Sequence, residues 1–513
     1  MHIAFLNPQG NFDPADSYLA QHPDFGGQLV YVKQVALAMG ELGHKVDLIT
    51  RQVKDPAWPE FSDPFDTYPD ALGLRIIRLP AGPPRFLPKE HLWPYIGPSW
   101  VPNILNFYQK EGTLPDFFSA HYGDGGVSGV LLKEATGIPF SFTAHSLGAQ
   151  KIDKLSTDQV DFKVLDKEYF FSRRLIAERT AMNHSQVNIT STTQERFIQY
   201  GHPAYQGAVD PEDESQFAVI PPGVNLAIFD KNNRFDSEQI IIQFLQDMLK
   251  RDLMEERLGL PCIIASSRLD RKKNHLGLVQ AYAGSQQLQA LSNLVILTSG
   301  LEDPLQDYSK ASVSEGDVLV SLLQLIKEGG LQGKVSMFSL KGQTQLAAAY
   351  RHFSRNKSVF VLPALYEPFG LAPLEAMAAG MPAVVTKFGG PSESMREGKE
   401  NYGVLIDPSN PAELSSALVD LFTNPLQWEN YAKIGYQRVV SKYNWKKTAA
   451  GYLEVLTRAD PNDQARDLLR IHPYFSDPSP VNDITSAKLR EIYRDYPHQP
   501  DWLFPKTKEA GSW

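Results

Sequence analysis

Cysteine is nearly absent: Cys262 is the sole one in 513 residues. That excludes an intramolecular disulfide and any metal site built from clustered thiolates. No stretch approaches the roughly 20 consecutive apolar residues of a membrane span. The opening segment, Met1-His-Ile-Ala-Phe-Leu-Asn7, enters an apolar strand without the basic region or small-residue cleavage site of a secretory leader, so a cytoplasmic location is expected. Surplus positive charge is missing too. Fifty Lys and Arg face 59 Asp and Glu, a formal net charge of −9. Such a chain offers no broad basic field to a nucleic-acid backbone, and any anionic ligand must be met by a local group of cations. No close G-x-G-x-x-G follows the first strand, which weakens a nicotinamide-binding reading. No convincing D-x-D metal motif occurs.

What is present is ordinary soluble composition, 42% apolar and 21% charged, in a chain longer than one core usually supports. Two or more domains are therefore expected. Short apolar runs alternate with helical stretches, the pattern of a parallel sheet covered by helices. Strands are predicted at Ile3–Asn7, Val46–Thr50, Arg75–Leu79, Phe117–His121, Phe140–His145 and Val187–Thr192. The pattern restarts at Cys262–Arg268, Leu294–Gly300, Lys334–Leu340, Val359–Pro363, Ala383–Thr386 and Val404–Ile406. Between the halves, Ala218-Val-Ile-Pro-Pro-Gly-Val-Asn225 reads as a hinge. The expected architecture is α/β: two Rossmann-like, doubly wound domains facing across a cleft, with ligands at the carboxyl ends of the strands. The boundaries expected are 1–217, completed by a helix near 440–458, then 218–440. The segment 301–330 looks like an insertion, and 460–513, Pro- and Asp-rich, reads as an extended tail.

Chemistry collects at predicted strand ends. Glu367-Pro-Phe-Gly-Leu-Ala-Pro-Leu-Glu375 sets two carboxylates eight positions apart across a loop running into a helix. Pro373 suits the first helical position, and Glu375 then falls in the first turn, where the helix dipole favours an acid. A well-made helix start explains Glu375 but leaves Glu367 without a role. The alternative is a platform in which the Phe369, Gly370 and Leu371 N–H groups face an anion while both acids grip sugar hydroxyls. Gly26-Gly27, ahead of an amphipathic helix, is either a tight turn or a close approach to phosphate. Arg268-Leu-Asp-Arg-Lys-Lys273 is either a solvated loop or, at the end of a strand, a phosphate grip. His145 closes another strand, as a structural hydrogen-bonder or a group in the reaction. Lys89, Lys151, Arg173 and Arg174 are surface charges or a second anion site.

Taken together, these segments resemble the retaining family 4 glycosyltransferases of the GT-B fold, over nearly the whole chain to about residue 455. The E-x7-E pair, the R-x4-K pair (Arg268 and Lys273), the Gly-Gly loop and the Pro-Pro-Gly-Val-Asn hinge stand in the family's order. The match tightens to the sucrose-phosphate synthases through Asp24-Phe-Gly-Gly-Gln28, Phe86-Leu-Pro-Lys-Glu-His-Leu-Trp93, His121-Tyr-Gly-Asp-Gly-Gly126 and Ala144-His-Ser-Leu-Gly148. The resemblance implies transfer of glucose from UDP-glucose, or another nucleotide sugar, to fructose 6-phosphate. It implies that Arg268 and Lys273, with the backbone at Gly27, hold the donor diphosphate. Glu375 would take the ribose, and Glu367 with the Phe369–Leu371 backbone the transferred glucose. His145 would sit beside the reacting sugar. Gln28, Lys89, Tyr122, Lys151, Arg173 and Arg174 would surround the acceptor.

The chemistry of those residues suits such a reaction without a tightly bound cofactor and without a metal in the chemical step, because fixed cations can stabilise a leaving diphosphate. Substrates are then the only partners required, and dephosphorylation of the product would fall to a separate phosphatase. Plant-type relatives carry added regulatory and phosphatase-like regions, for which nothing after residue 455 has room. Three alternatives stay open: a sucrose synthase using free fructose, a mannosylfructose-phosphate synthase using GDP-mannose, and a catalytically idle sugar-phosphate-binding protein.

Overall fold

Parallel strands buried on both faces are near-continuous apolar runs, and the twelve runs named above all become strands. The computed structural model describes residues 1–19, 24–69, 71–155, 162–298, 300–308, 313–458 and 467–493. These form two units: Met1–Pro221 with the segment returning from Trp445, and Pro222–Asn444.

The first unit holds β1 (His2–Leu6), β2 (Lys45–Arg51), β3 (Phe65–Asp66), β4 (Leu74–Leu79), β5 (Phe117–His121), β6 (Phe140–Thr143), β7 (Val187–Thr190) and β8 (Phe217–Val219). Their order is β3-β4-β2-β1-β5-β6-β7-β8. All neighbours are parallel except β3 with β4. The order reverses between β1 and β5, so the loops leaving those two strands diverge and leave a crevice at their carboxyl ends.

The helix Trp445–Arg458 completes this unit. Trp445, Ala449 and Tyr452 are buried against Val32, Val35 and Ala36 of the helix Gly27–Glu41. The Tyr452 hydroxyl meets those of Tyr31 and Thr143, each at 2.9 Å. Each large side chain so buried is worth roughly 1.5–3 kcal/mol. Part of the segment expected as a tail is also core: Tyr474, Phe475, Ile484 and Leu489 join the cluster that contains Trp100 and Leu175. Trp502 and Trp513 lie outside the described residues.

The second unit has a six-stranded parallel sheet of β9 (Cys262–Ser266), β10 (Asn293–Thr298), β11 (Val335–Ser339), β12 (Val359–Leu362), β13 (Ala383–Thr386) and, after the small hairpin β14 (Arg396–Glu397) and β15 (Glu400–Asn401), β16 (Val404–Ile406). The order β11-β10-β9-β12-β13-β16 reverses between β9 and β12. The apparent insertion 301–330 contributes to this core. Its helix Val313–Glu328 buries Val318, Leu319 and Leu322.

Three local expectations need correction. Strands β6 and β9 stop two residues early, so His145 and Arg268 stand in loops beyond the sheet. His145 has φ 57°, and a tight turn closes from the Asp270 N–H to the Arg268 carbonyl, conformations that a strand cannot continue. The hinge begins as strand β8, and the crossing between units falls at Pro221-Pro222. The helix after Glu367 is Leu371–Ala378, capped by Gly370 at φ 90°. Pro373 is therefore its third residue and Glu375 lies in the second turn, beyond the first-turn dipole.

Candidate active site

The loops leaving β9 and β12 meet at the reversal point of the second sheet. Asp270 accepts from the Lys272 N–H at 3.0 Å, which shapes the turn Arg271–Lys273. Asn274, at φ 56°, accepts from the Gly277 N–H and starts the next helix. The Leu365 N–H donates to the Lys272 carbonyl at 2.8 Å, joining the two loops. Lys273 Nζ then stands 2.6 Å from Glu367 Oε2. Arg268 is exposed and makes no ion pair among the described residues, so its guanidinium is available to an anion.

A second pair of glycines supports Glu367 from behind. The Gly390 N–H donates to the Glu367 carbonyl at 2.9 Å, and the Glu367 N–H to Phe388 at 3.2 Å. A Cβ on Gly389 would stand 2.0 Å from the Glu367 carbonyl oxygen, so only glycine fits there. No side chain caps the helix Leu371–Ala378, which leaves its first N–H groups open to a ligand. Burial pushes the Glu375 carboxyl up to about 7.

In the first unit, the corresponding reversal point gathers a different group. The Gln28 amide donates to Asn7 Oδ1 at 2.9 Å and accepts from the Gln9 amide, within reach of the end of β1. The Gly26-Gly27 pair opens its helix without a side-chain cap, and added Cβ atoms there would meet nothing within 4 Å. Lys89, Lys151 and Arg174 line one pocket with Tyr122, Asp124 and Glu90. Lys89 Nζ lies 3.2 Å from Asp24 Oδ1. Lys151 Nζ rests 4.0 Å from the centre of the Tyr169 ring and makes no ion pair among the described residues. Burial, with Arg174 beside it, lowers its pKa. The Arg174 guanidinium covers the Tyr122 ring at 4.6 Å.

Arg174 is 5% exposed and therefore needs a fixed counter-charge. Glu178 Oε1 supplies it at 2.8 Å, and Glu178 also accepts from the Gly148 N–H at 3.0 Å and from the Tyr205 hydroxyl. Arg174 in turn donates to the Ser146 carbonyl at 2.7 Å. Two of the predicted acceptor residues, Gln28 and Arg173, do not line this pocket, and Arg173 is turned to another task. Its guanidinium pairs with Asp483 at 2.8 Å and faces Tyr474, so it holds the C-terminal segment instead.

His145 belongs to a hydrogen-bonded line. Ser119 Oγ meets His121 Nε2 at 3.0 Å, and His121 Nδ1 meets His145 Nε2 at 2.9 Å. Burial holds His145 down to about 3 and His121 well below its ordinary value, so both are neutral near pH 7. If Ser119 donates to His121, the proton order leaves His145 Nδ1–H as a donor for a ligand.

Residues 25–228 match the family description "Glycosyltransferase Family 4", and residues 223–438 match "Glycosyl transferases group 1". A probable sucrose-phosphate synthase from Thermosipho melanesiensis is 41% identical over 458 residues, covering 89% of this chain and 97% of that one. The chain belongs to the sucrose-phosphate synthase family. It is accordingly a glycosyltransferase of the GT-B fold. Sucrose-phosphate synthase 4 of Arabidopsis thaliana is 30% identical over 96% of this chain, which spans about half that relative's length. Among solved structures, the sucrose-phosphate synthase from Thermosynechococcus elongatus is similar with a TM-score of 0.63 and 25% identity, covering 89% of this chain and 98% of that one. The Anabaena protein HepE, solved with UDP-glucose, shares the fold at a TM-score of 0.56 and 16% identity, over 89% of this chain and all of HepE. Among the described residues no helix is long and apolar enough to cross a membrane.

Sequence reasoning missed four groups that this family member places at its candidate site. Asp124 is 2% exposed; one oxygen accepts from the Gly125 N–H, and the other has no partner among the described residues. Burial pushes its carboxyl up to about 7. Glu178, His121 and the Gly389-Gly390 pair are the others. A signal existed for Asp124, since it sits inside His121-Tyr-Gly-Asp-Gly-Gly126. Those glycines are there for packing: a Cβ on Gly125 would come 2.5 Å from the Leu6 carbonyl, and one on Gly126 would come 2.7 Å from Phe142.

Proposed function

We propose that the protein transfers glucose from UDP-glucose to fructose 6-phosphate with retention, releasing sucrose 6-phosphate and UDP. The observation that carries the acceptor is Lys151, a desolvated cation without an ion pair among the described residues, in one pocket with Lys89 and Arg174. Three cations at one place call for a phosphoryl group, whereas free fructose would leave Lys151 uncompensated. Tyr122 and Gln28 would bound the sugar, and the open oxygen of Asp124 would accept from one of its hydroxyls. HepE, the relative solved with UDP-glucose, supports a uridine nucleotide as donor.

On the donor side, Arg268 and Lys273 would hold the diphosphate. In the first unit, the backbone at Gly27 would offer its N–H to an anion. The carboxylate of Glu375 would accept from the ribose hydroxyls. Glu367 and the N–H groups of Phe369, Gly370 and Leu371 would position the glucose. As the bond from glucose C1 to the phosphate oxygen breaks, both electrons leave with UDP, and Lys273 and Arg268 stabilise the growing charge. The departing phosphate oxygen takes the proton of the attacking fructose hydroxyl on the same face of the sugar, so the configuration at C1 is kept. Glu367 then has no covalent role. Neutral His145 would donate from Nδ1 to the transferred sugar.

The test is a matrix of UDP-, ADP- and GDP-glucose and GDP-mannose against fructose and fructose 6-phosphate, with products resolved by mass and anomeric configuration. Sucrose 6-phosphate formed from UDP-glucose is expected. Equal use of free fructose would sink the acceptor reading, and preference for GDP-mannose the donor reading.

A further inference from the structure

A second basic concavity lies in the Pro222–Asn444 unit, at the opposite end of its sheet from the donor loops. The residues that line it are fixed by chain direction. The helix Gly342–Arg355 ends where β12 is about to begin, and the helix Leu371–Ala378 ends just ahead of β13. Because the strands run parallel, this is the amino end of the sheet, whereas Arg268, Lys273 and Glu367 follow the carboxyl ends of β9 and β12. Strands of four residues put the two ends roughly 13 Å apart.

The concavity has a volume of about 400 Å³ and is lined by Lys231, Arg234, Arg351, Arg355, Lys357 and Lys433. Their charge is only partly matched. Glu238 takes both Arg351 and Arg355, at 3.1 and 3.2 Å, and Glu429 takes Lys357 at 3.0 Å. Nearby Asp230 accepts from the Tyr436 hydroxyl. Lys231, Arg234 and Lys433 are exposed and form no ion pair among the described residues.

Helix carbonyl ends attract cations, and that explains Arg355 at the end of its own helix. It does not explain why Lys231 and Arg234 arrive from the loop after residue 229, or Lys433 from the helix Pro425–Lys442. Nor does it explain the floor. Arg351 is 1% exposed, and its guanidinium is fixed by Glu238 and the Ile228 carbonyl and lies over the Phe235 ring. Arg234 donates to the Lys231 and Asn233 carbonyls and Lys231 Nζ stands 4.0 Å from the centre of the Tyr436 ring, but neither these two nor Lys433 has a carboxylate in an ion pair among the described residues. In a chain of net charge −9, such cations beside a buried, held arginine favour an anion.

We propose that this concavity binds a small phosphoryl-bearing ligand, separately from the donor and acceptor sites. The volume admits a phosphate, a pyrophosphate or a hexose phosphate, all recognised through the same phosphoryl oxygens. The proposal concerns binding alone and does not rest on the transfer reaction proposed above.

The full-length protein, held in saturating UDP so that the diphosphate loops are occupied, is titrated calorimetrically with inorganic phosphate, pyrophosphate and glucose 1-phosphate. The same titrations are run on Lys231→Glu and Lys433→Glu, both exposed positions, with circular dichroism as a check of folding. At least one probe should saturate on the wild type, weaken at least tenfold in each variant, and weaken again as sodium chloride is raised. Tightest binding of glucose 1-phosphate would assign a sugar-bearing ligand, and tightest binding of phosphate or pyrophosphate an inorganic one. Phosphate captured at the acceptor pocket is insensitive to these substitutions. Hence no saturable binding, or binding equal in wild type and variants, would overturn the proposal.

Discussion

The two candidate substrate sites hold cations by opposite means. In the first unit Arg174 is buried and locked by Glu178, which is itself fixed by the Gly148 N–H and the Tyr205 hydroxyl. In the second, Lys273 is paired with Glu367, a carboxylate that the proposed reaction would assign to the sugar, while Arg268 is exposed and unpaired among the described residues. Arg174 is preorganised before any ligand arrives; Lys273 must exchange an internal ion pair for contacts with substrate. Cations that merely recognise a standing phosphate can be rigid. Cations that must follow a charge growing on a leaving group need partners they can give up.

Breaking the rigid side should have the largest effect. Glu178→Ala leaves Arg174 buried without its counter-charge and should destabilise the protein by about 3–5 kcal/mol, read as a lower urea midpoint. Next, Lys273→Ala should lower the turnover number by about 10²–10³ with circular dichroism unchanged, because leaving-group charge loses its partner. A near-normal rate would remove Lys273 from the chemistry. Lys151→Ala should raise the Michaelis constant for fructose 6-phosphate roughly 10–100-fold, the equivalent of one charged hydrogen bond, and leave that for UDP-glucose nearly unchanged. Equal changes for both substrates would erase the contrast drawn between the sites.

The smaller effects come from titration and from the surface. Asp124 and Glu375 are both pushed up to about 7, from ordinary values of 3.8 and 4.5. Between about pH 4 and 7 the folded protein keeps those protons while the unfolded chain has released them. Stability from these groups is therefore present in acid and falls as pH rises through that window, by at most about 1.4 kcal/mol per pH unit for each carboxyl. Asp124→Asn should flatten its share in urea midpoints measured from pH 4 to 8. Arg173→Ala should cost about 1 kcal/mol or less, since its partner Asp483 is exposed, and should show as faster proteolysis of residues 467–493.

The sheets were legible in the sequence because each central strand is a short apolar run bounded by turn residues. The strands overlooked were β3, β8 and the β14–β15 hairpin, which have two or three residues each and too little pattern to register. The start of the Leu371–Ala378 helix was misplaced because Pro373 is a good first residue, yet Gly370 at φ 90° begins the helix earlier. The pairs Glu367 with Glu375 and Arg268 with Lys273 could be seen because each lies within one short segment of sequence. Glu178 could not: what it fixes, Gly148 and Tyr205, lies about thirty residues away on either side, a proximity that only the fold creates. Arg173 and Arg174 are neighbours in sequence, but on a helix successive residues point in different directions, and only one faces the pocket.

The helix Trp445–Arg458 has a consequence for how the chain is made. Residues Pro222–Asn444 form a continuous unit, whereas Met1–Pro221 lacks a core helix until Trp445, Ala449 and Tyr452 have been synthesised. During N-to-C synthesis the first half emerges with the apolar face of Gly27–Glu41 uncovered, and the later-born unit is complete before that face is covered. The order of birth and the order of completion are reversed, so the nascent first half is the stage at which chaperones would find an exposed surface to hold.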